Sequence, residues 1–143
     1  MSQIDTVRQG LITALTAALP SGVALVPVNS LEDFKMTLRQ PPTVGVAYAG
    51  RRHEAKPKAI GATRQNVAAW NFEVYVAASG PAPGVAAGQD AFSLLEASDQ
   101  ALEGLLFVLG SQKVHVLAAG DALVDMPVGA LLYVQGWQFW QQG

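Results

Sequence analysis

Residues 67–78, VAAWNFEVYVAA, restrict the fold more than any other stretch of the chain. Ala68, Trp70, Phe72, Val74 and Val76 fall on even positions, with Asn71, Glu73 and Tyr75 between them. Side chains alternate across a strand, so the run predicts a long strand with one apolar, partly aromatic face. A face of that size needs a sheet around it and another layer packed on it.

The flanking segments supply both. Ser2 is placed to cap a helix, with Asp5 near its positive end. Its stripe is Ile4, Val7, Leu11, Leu15 and Ala18, with Ile12 and Leu19 beside it, and Pro20, Ser21 and Gly22 end it. Val23–Val28 reads as a short strand. Ser30 caps a short helix through Leu31, Phe34, Met36 and Leu38, closed by Gln40-Pro41-Pro42. In the strand Thr43–Ala49, Val44, Val46 and Tyr48 share one face. Gly45, Ala47 and Ala49 share the other, a surface that a helix or a neighbouring subunit can approach closely.

After the long strand, Ser79–Gly88 is a proline- and glycine-rich loop. Asp90 caps a second main helix with a stripe of Phe92, Leu95, Leu102, Leu106 and Leu109. Ser93, Glu96, Gln100 and Glu103 form its wet side, and Gly110 closes it. Three strands follow: Lys113–Ala118, Ala122–Asp125, and Gly129 to about Trp140. In the last, Leu131, Tyr133, Trp137 and Phe139 share a face. The expectation is one α+β domain over residues 1–143: a mostly antiparallel sheet carrying two main helices, with a long arm-like loop between two strands.

That loop, about residues 50–65, holds five of the nine basic residues: Arg51, Arg52, Lys56, Lys58 and Arg64. Glu54 is its only acid, so the segment carries a net +4, and the remaining four bases and ten acids carry −6. Hairpin connections are usually about two to five residues long. A much longer one reads as an arm reaching beyond the sheet, and segregated charge of this kind marks either a contact surface or a solvated loop. Charged residues make up only 14% of the chain, against roughly 25% in an average globular protein. Either alanine and amides cover the surface, or part of it is buried against other subunits.

Residue chemistry narrows the function. The absence of cysteine removes thiolate metal sites, thiol nucleophiles and disulfides. His53 lies in the basic segment and His115 on a predicted strand, with no metal-binding spacing between them. No GxSxG, GxGxxG or GxxxxGK occurs, so neither a catalytic residue nor a cofactor or metal is expected. Glu96, Asp99 and Glu103 fit a solvated helix face, and Asp121 and Asp125 lie near strand ends. Trp137, Phe139 and Trp140 fit a core or subunit interface better than base stacking. The basic segment could meet phosphate, but it has no aromatic residue for stacking, and a protein surface of opposite sign is as good a partner. MSQIDTVRQG lacks the form of a secretory leader, and neither long uncharged run provides about twenty predominantly apolar residues; a soluble intracellular protein is expected, with no membrane partner.

The order of elements resembles the tail terminator (tail completion) proteins of long-tailed bacteriophages, especially the Mu-like branch. The likeness spans nearly the whole chain. A first helix ending in LTAALP leads into a strand; VGVAYAG precedes the basic segment; WNFEVYVAA precedes the helix AFSLLEASDQALEGLLF; and ALLYVQGWQFW closes the domain. The resemblance implies a virion structural protein assembled in the host cytoplasm. Family members form rings, typically homohexamers, that cap the tail tube, end its polymerisation and present it to the head-side connector. The basic arm would then dock on an acidic tube protein or a neighbouring subunit, or line a lumen through which DNA passes. Two alternatives stay open: another head–tail joining (neck) protein, and a nucleic-acid-binding accessory protein that uses the arm.

Overall fold

A computed structural model describes residues 2–38, 42–56, 65–125 and 130–142, with the backbone alone at 54–56, 65–66 and 142. The first helix, α1 (Gln3–Ala18), starts where predicted: the Ser2 hydroxyl oxygen accepts the Asp5 N–H at 3.1 Å. Val7, Leu11 and Leu15 are completely buried. Ala18, expected in that stripe, is exposed; the chain turns extended at Leu19, whose side chain packs on the core instead.

The short strand β1 (Ala24–Pro27) leads into α2 (Leu31–Thr37), capped by Ser30, whose hydroxyl accepts the Asp33 N–H. Asp33 reaches back to the Asn29 N–H at 2.9 Å, so two otherwise orphaned donors are satisfied. Strands β2 (Thr43–Lys56) and β3 (Gln65–Ala78) pair antiparallel along their whole length. Then come α3 (Ala91–Leu102), β4 (Leu106–Leu109), β5 (Gln112–His115), β6 (Leu117–Asp125) and β7 (Leu131–Gln142).

The main sheet has the order β1-β2-β3-β7-β6, with β1 parallel to β2 and the other pairs antiparallel; β4 and β5 form a separate hairpin. The fold is α+β, as the sequence predicts. The even residues Ala68, Trp70, Phe72, Val74 and Val76 join Trp137 and Phe139 in the main core, under α1 and α3. On the opposite face, α2 lays Phe34 over Gly45, Ala47, Tyr75 and Leu132. The small face of β2 is therefore a seat for a helix of the same chain.

Three expectations need correction. The second main helix does not run to Leu109. It stops at Leu102, and Gly104 follows in the left-handed region (φ +75°), where a side chain would be strained. Leu106–Leu109 is instead a strand, turned back on β5 by Gly110-Ser111 with Gly110 at φ +64°. Phe92 is about half exposed, and the buried helix face is Ala91, Leu94, Leu95, Ser98 and Leu102.

The strands expected at 113–118 and 122–125 are divided differently: β5 ends at His115, and β6 is one nine-residue strand. A bulge around Gly120 (φ +107°) lets it continue through the gap that the sequence suggested. Finally, the expected loop at 50–65 starts later than predicted, because residues 50–56 are ladder. β2 runs unbroken to Lys56, which pairs with Gln65, after a bulge between Tyr48 and Gly50 (φ +122°) absorbs one residue. Residues 57–64 lie outside the described residues.

The cap of α3 makes a prediction about acid stability. Asp90 accepts the Ser93 N–H at 3.0 Å and the Ser93 hydroxyl at 2.6 Å, and the hydroxyl bond above all holds its carboxyl below the ordinary value of 3.8. A depressed carboxylate stabilises the fold above its unfolded value, and the contribution disappears as pH falls through the folded one. Thermal unfolding from neutral pH downward should show wild type losing stability below about that value, with Asp90→Asn losing less because its amide oxygen caps at every pH.

Candidate functional site

Beyond the bulge at Gly50, β2 carries the basic segment outward. Opposite residues of an antiparallel pair share a face. Arg51 opposes Trp70 and Arg52 opposes Ala69, so the two guanidinium groups leave opposite faces of the ribbon. Arg51, Arg52 and His53 are all exposed.

Arg51 lies over the Trp70 ring at 5.2 Å from its centroid, in cation–π contact. Beneath it, Trp70 stacks on Phe139 (5.3 Å), and Tyr48 meets Phe72 at a tilt (5.3 Å), which makes an aromatic floor. A charge held on such a floor is positioned, and it is not a tip of a loose loop. Of the other three basic residues singled out, Lys56 ends the strand, with only its backbone described, and Lys58 and Arg64 lie outside the described residues. The structure thus brings Arg51 and Arg52 to one strand but not to one face.

Among the described residues, no three His, Asp or Glu side chains gather as metal ligands. His115 is exposed on β5, with its Nδ1 3.3 Å from the Gly104 carbonyl oxygen, a strand histidine bonded in place. Glu96 and Asp99 are exposed on α3, and Glu103 accepts the Ala118 N–H at 2.9 Å, tying the end of that helix to the start of β6. The open half of the second sheet face holds a shallow depression lined by Glu73, Gly120, Asp121, Val134 and Gly136. There Tyr75 donates to Glu73 at 2.7 Å; burial first, and that bond second, push the phenol upward, so it remains a neutral donor.

Sequence reasoning found most of β6 as parts of two strands but not its place at the sheet edge. It is an edge strand, exposed at every one of its nine positions, and Leu117, Leu123 and Val124 are each at least 40% exposed. Leu123 opposes Tyr133, and Tyr133 meets Phe92 edge-on, so an apolar surface continues from the strand on to the start of α3. Its only charges are Asp121 and Asp125, the latter 3.3 Å from Lys35. The exposed leucines were in view, but nothing local in the sequence says that a strand has only one neighbour.

No helix among the described residues is long and apolar enough to cross a membrane. No protein-family model matches the chain, and no curated protein matches it in sequence.

Proposed function

We propose that the protein is a non-enzymatic structural component of a phage tail, a tail terminator. It assembles into a homo-oligomeric ring, six-membered by family likeness, that caps the tail tube, stops its growth and meets the head-side connector. The observation that carries this reading is the distribution of exposed apolar side chains. Leu117, Leu123 and Val124 lie on β6 and Phe92 meets Tyr133 of the neighbouring β7, Leu106 and Val108 lie on the β4 strand of the hairpin before β6, and only Met36 and Trp140 of the large exposed apolar residues lie elsewhere among those described. Monomeric proteins rarely concentrate apolar surface in this way, whereas subunits of assemblies do. The low charge of the chain points the same way.

Native mass spectrometry over a range of concentrations tests the ring, and a six-subunit species is the expected result. A tube-capping assay tests the role of the basic ribbon. The fourfold reversal R51E/R52E/K56E/K58E should abolish capping while leaving circular dichroism unchanged, at a stability cost of only about 0.5–1 kcal/mol for the lost contact on Trp70. Full capping by that variant would remove the basic ribbon from the mechanism. Loss of binding to bare DNA in proportion to salt, with no effect on tubes, would instead favour a nucleic-acid accessory protein.

A further inference from the structure

The ring reading leaves open which surfaces join, and the sheet itself offers two. Each strand position in the main sheet can be followed across it by register. Gly50, Asn71, Gln138 and Leu117 stand in one row, and Thr43, Ala77, Leu132 and Asp125 in another. The outer side of β2 is covered by β1 only at Thr43–Val46, with one further bond from the Val28 N–H to the Val46 carbonyl. From Gly50 to Lys56 no described strand lies beyond it. At the other edge, β6 has no described neighbour beyond it from Leu117 to Asp125. A long strand edge with no strand beyond it is a template for another strand.

The two edges differ in charge. β6 carries Asp121 and Asp125, the latter paired with Lys35, with the Glu103 carboxylate at its start, whereas the 50–56 stretch of β2 carries Arg51, Arg52 and Lys56 against one acid, Glu54. Two β6 edges would set acid against acid, and two β2 edges base against base, so like pairing is disfavoured and unlike pairing favoured. From β2 to β3 to β7 to β6 direction reverses three times, so β6 of one copy would meet β2 of the next antiparallel.

We infer that β6 of one subunit pairs antiparallel with the 50–56 stretch of β2 in the next copy, continuing one sheet around the ring. The inference rests on the ring reading above and identifies its interface. Asp121 shares a face with Gln135, on the side of α1 and α3, as Arg51 does with Trp70. The register that sets Asp121 beside Arg51 therefore matches both charge and face.

That register requires a shift. In level rows β6 would collide with β1 of the neighbour; sliding about four to five residues along the strand clears it, leaving the four-residue β1 end to end with the incoming β6. Each copy then contributes four strand widths of about 4.8 Å, and a slide of about 13–17 Å per copy tilts the strands by roughly 35–40°. Closed sheets need a tilt of about 35–45°. The stagger needed to avoid β1 is thus the stagger that a closed ring needs.

The absence of cysteine makes the test direct. Within one chain Asp121 and Arg51 stand three strands apart, roughly 14 Å sideways and about 13 Å along the strands, far beyond the reach of a disulfide at about 7 Å. Any bond between cysteines at these positions therefore joins two copies. Under mild oxidation, D121C/R51C should give a ladder of covalent oligomers on a denaturing gel, and each single variant should remain monomeric there. D121R leaves the Arg51 contact on Trp70 in place and is the second test: it should weaken the ring in native mass spectrometry, and circular dichroism reports the fold of every variant. A ring with no ladder from folded D121C/R51C, and undiminished in D121R, overturns this interface and leaves the ring reading standing. A dimer from D121C alone overturns it in favour of like-edge pairing. Monomers throughout, with and without tubes, overturn both.

Discussion

Phe34→Ala should lower the unfolding free energy by about 3–5 kcal/mol, the usual cost of emptying a buried aromatic site. Phe34 is completely buried and stands 5.4 Å from the Tyr75 ring, holding α2 to the second face of the sheet. The seat exists only because position 45 has no side chain. A Cβ on Gly45 would lie 2.5 Å from the Phe34 ring and 3.2 Å from Val28, closer than atoms pack. Gly45→Ala alone should therefore cost about 1–3 kcal/mol through overpacking. In the Phe34→Ala background the methyl group enters the space that the ring has left, and the same substitution should cost little or become favourable. Chemical denaturation of the four proteins gives the coupling directly. Additive losses would mean that α2 does not sit on β2 as described.

Gln135→Leu should cost about 1–3 kcal/mol for each polar group that it strands. Gln135 is only 3% exposed, yet it faces the main core among aromatic residues. Its Nε2 donates to the Leu95 carbonyl at 3.2 Å, and its Oε1 accepts the Trp137 indole N–H at 2.9 Å. One amide thus satisfies a helix carbonyl of α3 and a buried donor of its own strand, tying the two layers together. Trp137→Phe made in the Gln135→Leu protein should cost less than in wild type, because the stranded donor has gone with the indole. Equal costs in the two backgrounds would show that the bond contributes nothing. The consequence for assembly is direct: Gln135 opposes Asp121 on β6, so loosening it loosens the edge proposed to join subunits.

Much of the fold was legible because its signals are local. The alternation in 67–78 and 131–139 identified the core faces of β3 and β7, and Ser2, Ser30 and Asp90 marked three helix starts that the structure bears out. Where two local patterns competed, the reading failed. Leu102, Leu106 and Leu109 keep helical spacing, but Gly104 breaks the helix, and Phe107 then packs against Gly10 of α1, where a Cβ would overlap its ring. The basic segment was recognised by charge and misjudged in form, since Gly50 reads as a loop signal and serves as a bulge inside a continuing ladder.

The candidate site was legible in part. Clustered charge is visible in any sequence, and Arg51 and Arg52 do stand exposed on one strand. As neighbours on a strand they leave opposite faces, but that Arg51 is the one to meet Trp70 follows from the register after the bulge, which depends on how β3 pairs. By itself, the sequence determined which residues are apolar in step with a strand or a helix, where helices begin, and where charge is concentrated. Only the tertiary structure decided where a helix gives way to a strand, that α2 packs on the second face, and that no described strand lies beyond β6 or the far half of β2. The first set depends on neighbours a few residues apart. The second depends on which distant strand reaches a hydrogen-bonding row first, and that is settled only when the whole sheet is assembled.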